Sequence, residues 1–189
     1  MHTLIVYESM YGNTHAVAEA IGDGVRGSGE ARVVPVRDAG PDLLAWADLV
    51  VVGAPTHARG MPTPASRESA VAGAATDDGW SKVSLDASAD GPGIREWLDR
   101  TTAVGDKLAV AFDTRVHAPA LITGRASSGI AKELRAKGFG LAAEPESFFV
   151  DTHQVLAPGE LERATAWGKR LADRDLSQGS SVGHHPLVL

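Results

Sequence analysis

The sequence contains no cysteine. This absence excludes disulfides, thiolate metal ligands, cysteine-held iron–sulfur clusters and thiol catalysis, so any redox chemistry would need a bound organic cofactor. Aromatic residues are also scarce, at 5% of the 189 residues, whereas 43% of the chain is hydrophobic and 21 residues are glycine. This composition indicates a single globular domain with many turns.

Long apolar segments are missing as well. The chain has no run of about 18 apolar residues, and its amino terminus lacks a basic region followed by an apolar stretch. We therefore expect a cytoplasmic protein with no membrane segment. A net charge of -6 argues against nonspecific binding to nucleic acid. It favours basic redox partners, although a modest negative charge also serves simply to keep a small domain soluble.

A hydroxyl-rich turn near the amino terminus joins a predicted strand to a predicted helix. Residues 4–7 are apolar, as in a strand that is buried on both faces. From Thr14 onwards, apolar residues recur at helical spacing through Ile21. The turn at residues 9–13 therefore lies at the start of a helix, where free backbone N–H groups can bind a phosphate. An ordinary capped turn that binds nothing is the alternative interpretation.

The rest of the chain continues this alternation of strands and helices. Further strands are predicted at residues 31–36, 48–53, 107–112 and 147–150. Further helices are predicted at residues 64–72, 93–98, 127–137 and 158–173, with a short helical stretch at residues 43–46. Five strands alternating with helices indicate an α/β fold with a parallel sheet covered on both faces. In such sheets ligands bind at the carboxyl ends of the strands, so residues 54–57 and 113–115 should share an edge with residues 9–14.

The turn sequence Ser9-Met10-Tyr11-Gly12-Asn13-Thr14 resembles the FMN phosphate loop of the flavodoxin family, whose common form is Thr/Ser-x-Thr-Gly-x-Thr. Tyr11 stands where the family usually has its middle threonine. The resemblance implies a flavodoxin-like three-layer sandwich over residues 1–177, with a five-stranded parallel sheet in the order 2-1-3-4-5. It also implies FMN as the cofactor, a long insertion at residues 58–92 after the third strand, and a flexible tail at residues 178–189.

The same resemblance assigns cofactor-binding roles to three segments. These are the phosphate loop, a loop after the third strand and a loop after the fourth strand, and the residues concerned are Ser9, Met10, Tyr11, Gly12, Asn13, Thr14, Ala54, Pro55, Thr56, His57, Asp113, Thr114 and Arg115. Family members usually place Trp or Tyr against the flavin in the second segment, and this chain offers His57 there instead. Asp113 could bond a ring N–H or cap the turn, and Arg115 could face the pyrimidine carbonyls or solvent.

Three functions follow from the resemblance. The first is an FMN-binding electron carrier that shuttles electrons between a reductase and an acceptor protein. The second is a flavin-dependent oxidoreductase for a quinone or a protoporphyrinogen-type molecule, in which the insertion shapes the substrate site. The third is an interaction domain that has lost its flavin. The insertion itself could be a lid, a docking surface or a solvated excursion.

Overall fold

The computed structural model describes residues 1–57, 59–75, 84–103, 105–119 and 123–174. The predicted tail, residues 178–189, and residues 76–83 of the insertion, including Trp80, lie outside the described residues. One parallel sheet forms the centre of the fold, and its strands are β1 His2–Tyr7, β2 Glu30–Pro35, β3 Leu49–Pro55, β4 Leu108–Val116, β5 Gly140–Leu141 and β6 Glu146–Val150. The strand order is β2-β1-β3-β4-β5, which confirms the predicted order.

Two short strands share the last position of the sheet. β5 pairs with the start of β4, at Leu108 and Ala109, and β6 pairs with its end, from Phe112 to Val116. The sequence pattern identified only β6 as a strand. β5 was missed because it is two residues long and begins with a glycine, which has a low strand propensity.

Helices cover both faces of the sheet. They are α1 Asn13–Arg26, α2 Pro41–Trp46, α3 Pro64–Ala75, α4 Ile94–Arg100, α5 Ala126–Ala136 and α6 Glu160–Ala172, with a 3-10 turn at Val36–Asp38. Alternate residues of β1 point to opposite faces, as strand geometry requires. Leu4 and Val6 join the core beneath α4 and α5, whereas Ile5 and Tyr7 join the core beneath α1 and α6.

The close contact between α1 and α6 depends on two glycines. A Cβ placed on Gly24 would lie 2.0 Å from the carbonyl oxygen of Thr165, and one placed on Gly168 would lie 2.1 Å from the carbonyl oxygen of Ile21. Both neighbours are backbone atoms, so the helices can approach this closely only because each lacks a side chain at the crossing. This contact holds α1, and therefore the loop at its start, against the sheet.

The fourth strand is longer than the sequence pattern suggested. Asp113, Thr114 and Arg115 were predicted to form a loop, but they lie within β4. Asp113 and Thr114 pair with Ala54 and Pro55 of β3, and β6 supplies partners on the other side. The loop prediction was wrong because polar residues look unsuited to a central strand. Here the Asp113 Oδ2 atom accepts from the backbone N–H of Ser127, 2.8 Å away, whereas the buried Oδ1 atom has no hydrogen-bond partner among the described residues.

None of the described helices is both long enough and apolar enough to cross a membrane. Within the described ranges, no group of three or more His, Asp or Glu side chains could hold a metal ion.

Candidate functional site

The loop between β1 and α1 is shaped by one glycine. Gly12 has a φ of 86°, which lies in the left-handed region that residues with a Cβ avoid. Its N–H donates to the Ser9 hydroxyl at 3.1 Å, and its carbonyl accepts from the N–H of Ala16 at 2.8 Å. The helical hydrogen bonding of α1 therefore begins at Gly12, immediately after the loop that follows β1.

This geometry leaves a group of backbone donors free. Among the described residues, no acceptor lies within hydrogen-bond distance of the backbone N–H groups of Met10, Tyr11, Asn13, Thr14 and His15. The first turn of α1 carries no acidic side chain. Free N–H groups and the positive end of the helix dipole therefore meet at one point, which is the arrangement that binds a phosphate.

The side chains of the loop fix it to three other elements. The Thr14 hydroxyl lies 2.7 Å from the Thr114 hydroxyl of β4, and both side chains are buried. The Asn13 amide donates to the carbonyl of Gln154 at 2.7 Å. The Tyr11 hydroxyl donates to the carbonyl of Ala70 in α3 at 2.9 Å, so its proton is directed at α3. Of the two hydrogen-bond donors of Tyr11, the hydroxyl is therefore occupied and the backbone N–H remains free for a phosphate.

Asp86, near the end of the insertion, contacts the loop between β1 and α1. Its N–H donates to the Met10 carbonyl at 2.8 Å, and its Oδ2 lies 3.0 Å from Nδ1 of His15. Burial by itself would raise the pKa of Asp86, but hydrogen bonds from Ser88 and His15 outweigh burial and hold the pKa below its usual value. The sequence analysis missed this residue because nothing in its local pattern indicates a contact with a distant loop.

A second acidic side chain lies immediately before the loop. The Glu8 Oε2 atom accepts from the N–H of Ile94 at 2.8 Å, and Oε1 lies 3.9 Å from Nη1 of Arg67 in α3. Burial raises the pKa of Glu8, although the Ile94 bond and Arg67 partly oppose this rise. Arg67 also pairs with Glu96 of α4 at 3.0 Å, so these contacts connect α3 to the body of the domain.

Replacing Glu8 by glutamine is expected to reduce the pH dependence of folding. Because the folded-state pKa is raised, the folded protein binds this proton more tightly than the unfolded chain, and its stability falls as pH rises from the unfolded pKa to the folded pKa. Glu8→Gln should therefore be more stable than the wild type at about pH 8 but not at about pH 4, as measured by urea unfolding. Glu68→Gln, at an exposed position, is the control. Parallel stability curves for wild type and Glu8→Gln would contradict the assignment.

A cavity of about 540 Å³ opens at the carboxyl edge of the sheet beside the loop. This volume is within the range of small-molecule binding sites. The structure brings most of the predicted site residues to this cavity, namely Ser9, Met10, Tyr11, Asn13, Thr14, Pro55, Thr56, His57, Thr114 and Arg115.

Three of the predicted site residues do not line the cavity. Gly12 contributes through its backbone conformation, as described above. Ala54 is fully buried within β3, where it packs in the core. Asp113 is also fully buried, and its Oδ2 accepts from the N–H of Ser127 at the start of α5. The expectation that Asp113 would lie in an edge loop was therefore wrong, since the strand continues past it.

Other cavity residues were not predicted. They come from α3, from the end of β4 and from the segment around β6, and they are Ser66, Ser69, Ala70, Val116, Val150 and Gln154. The spacing of Ser66 and Ser69 places two hydroxyls on one face of α3, a signal present in the sequence. Gln154 has a φ of 62°, which is uncommon for a residue with a side chain, and no sequence pattern indicated it.

The segment after β3 is held tightly at the cavity. The N–H of Thr56 donates to the carbonyl of Thr114 at 2.8 Å, and the Thr56 hydroxyl accepts from the N–H of Ala126 at 2.9 Å. His57 and Gly60 exchange two backbone hydrogen bonds of 2.9 Å, which close a tight turn. Burial lowers the pKa of His57, so the imidazole is neutral at pH 7.

The sheet order is that of a flavodoxin-like α/β domain, and residues of the loop before α1 line a cavity at its carboxyl edge. The flavodoxin family model matches residues 5–87. That match and the confirmed sheet order agree on a flavodoxin-like fold. No curated protein sequence matches it.

Solved structures share this fold over most of the chain. A flavodoxin from the domain Archaea is 21% identical, with a TM-score of 0.61, and the alignment covers 91% of this chain and 96% of that one. Oxidised flavodoxin 2 from Bacillus cereus is 18% identical, with a TM-score of 0.62 and coverages of 91% and 98%. The flavodiiron protein from Giardia intestinalis is 21% identical, with a TM-score of 0.56, and it is matched over 90% of this chain but 35% of its own.

Proposed function

We propose that the protein binds FMN and carries electrons between redox partner proteins. The observation that carries this proposal is the group of free backbone N–H groups at the start of α1, four of which belong to residues that line a cavity of about 540 Å³, namely Met10, Tyr11, Asn13 and Thr14. A phosphate ester needs several convergent donors and a nearby positive dipole, and this loop supplies both. The match of the flavodoxin family model to residues 5–87 and the flavodoxin names of two structural neighbours support this assignment.

Each wall of the site has a distinct role in the proposal. The free amides of Met10, Tyr11, Asn13 and Thr14, together with the Thr14 hydroxyl, bind the phosphate. Pro55, Thr56 and His57 form one side of the ring site, Thr114 and Arg115 form another, and Ser66 and Ser69 of α3 face the same space. The neutral His57 imidazole can donate or accept one hydrogen bond without adding charge.

FMN would supply one- and two-electron chemistry, which the protein's own side chains lack. The chain positions the ring and limits its contact with water. Nothing in this arrangement requires a nucleophile or an acid–base pair from the protein. Electron carriage therefore needs fewer assumptions than turnover of a small molecule, which would require a second binding site.

The proposed function can be tested in two steps. The purified protein, supplied with FMN, should show flavin absorbance with about one flavin per chain, released as FMN. The reduced protein should then pass electrons to cytochrome c in an anaerobic stopped-flow experiment and should turn over slowly with NAD(P)H and quinones. Fast direct turnover of a quinone by NAD(P)H would favour the oxidoreductase instead. A protein that takes up no FMN would contradict both functions.

Thr14→Ala is expected to weaken FMN binding by about 10- to 100-fold. The substitution removes a hydroxyl that is held beside the free amides by Thr114, and a hydrogen bond to a charged group is worth about 1.5–3 kcal/mol. Fluorescence titration of the apo-protein measures the change. Thr165→Ala, on the exposed side of α6, is the matched control and should bind FMN normally. Equal FMN affinities in Thr14→Ala and Thr165→Ala would refute the role of Thr14.

A further inference from the structure

Arg115 is the only formally charged side chain among the described residues that line the cavity. The chain as a whole has a net charge of -6, so a lone cation at this site runs against the overall balance. The other described lining residues are neutral polar or apolar, and His57 is neutral because burial lowers its pKa. Among the described side chains that line the cavity, the single formal charge is therefore positive.

The position of this guanidinium is fixed by neutral partners. Its Nη1 donates to the carbonyl of Ala118 at 2.7 Å and to the Thr123 hydroxyl at 2.9 Å. Its central carbon lies 5.0 Å from the centre of the Phe149 ring. Phe149 is the residue directly opposite Arg115 in the paired strands β4 and β6. These contacts restrain the side chain without reducing its charge.

The charge is not compensated by an acid. In the described parts of the chain, no carboxylate oxygen lies within 4.0 Å of the Arg115 guanidinium. Its Nε is buried and has no hydrogen-bond partner among the described residues. The nearby charged or titratable groups are Asp113, which is bonded to the start of α5, and His117, which packs on the same Phe149 ring. Arg163 also lies close to that ring, and it is paired with Glu160 at 2.6 Å, so its charge is compensated. An uncompensated, partly buried charge acts on a bound group more strongly than a solvated charge does.

We propose that Arg115 raises the reduction potential of the bound flavin by stabilising its anionic two-electron-reduced form. This inference rests on the proposed function, and it goes beyond cofactor binding because it assigns the control of the potential to one side chain. In the favoured reduction, the ring takes up two electrons and one proton from solvent, and the reduced ring carries one negative charge. A nearby positive charge stabilises that product more than it stabilises the neutral oxidised ring.

Arg115→Gln should therefore bind reduced FMN about 10- to 100-fold less tightly relative to oxidised FMN. For a two-electron couple, that ratio lowers the midpoint potential by about 30–60 mV. The potential is measured by anaerobic titration of the FMN-loaded protein with dithionite as reductant. Arg115→Lys keeps the charge but loses the fork of donors, and it should retain most of the wild-type potential.

Arg26→Gln is the matched control for net charge. Arg26 is exposed at the far end of α1, where it pairs with Asp23 at 2.6 Å, and its loss should leave the potential unchanged. A potential in Arg115→Gln equal to that of the wild type would overturn the inference. An equal fall in Arg115→Lys and Arg115→Gln would also overturn it, because the effect would then come from lost packing.

A measurement on the wild-type protein keeps the inference testable if Arg115→Gln does not fold. Uptake of one proton for two electrons predicts that the midpoint potential falls by about 30 mV for each tenfold drop in proton concentration near pH 7. A slope twice as steep would mean that a neutral reduced ring forms, and would contradict the inference. Wild-type protein that binds no FMN would instead remove the proposed function, and this inference with it.

Discussion

Asn13→Asp is expected to weaken FMN binding by about 30- to 1,000-fold while leaving the folded apo-protein intact. The new carboxylate would lie among the free amides at the start of α1, where it would repel the phosphate. Two like charges a few ångströms apart in a partly buried site cost about 2–4 kcal/mol. The same carboxylate interacts favourably with the helix dipole, so the apo-protein should not be destabilised by the added charge.

Asn13→Ala separates this charge from the loss of a hydrogen bond. Both variants lose the bond from the Asn13 amide to the Gln154 carbonyl, but only Asn13→Asp adds a charge. Isothermal titration with FMN and with riboflavin should show that Asn13→Asp is worse than Asn13→Ala for FMN alone. The difference should shrink in high salt, because ions screen an accessible charge. Equal FMN affinities in the two variants would place the phosphate elsewhere.

Gly168→Ala should lower the free energy of unfolding by about 3 kcal/mol. The added Cβ would lie 2.1 Å from the carbonyl oxygen of Ile21, and a backbone atom cannot move aside as a flexible side chain can. The α1 and α6 helices would have to separate, with loss of packing between them. Urea unfolding of the apo-protein measures this cost.

Gly73→Ala in α3 is the matched helical control. A Cβ placed on Gly73 meets no atom of the described chain within 4 Å. Alanine is the better helix former, so this variant should be unchanged or more stable by about 0.5–1 kcal/mol. If Gly168→Ala were as stable as Gly73→Ala, the close crossing of α1 and α6 would not be a determinant of the fold.

The sequence predicted the parts of the structure that depend on local pattern. The strand, turn and helix of residues 4–25 were recognisable because a continuous apolar run is followed, after a glycine-containing turn, by apolar residues at helical spacing. The alternation of strands and helices indicated a parallel sheet, and the resemblance to flavodoxins supplied the strand order. Both predictions are confirmed by the sheet topology.

Contacts between distant segments were beyond the reach of sequence patterns. Residues 113–115 were predicted to form a loop because they are polar, and their pairing with β6 cannot be recognised from local sequence. The support of Met10 by Asp86 and the wall formed by Ser66 and Ser69 depend on how the insertion returns to the sheet. The local sequence around these residues does not indicate which distant segment they contact.

The central claim is that the start of α1 binds a phosphate group. Titration of the apo-protein with FMN and with riboflavin, which lacks only the phosphate, tests it directly. Two or more charge-assisted hydrogen bonds to the phosphate should make FMN bind at least about 100-fold more tightly than riboflavin. Equal affinity for the two flavins, or no binding of FMN, would contradict the account.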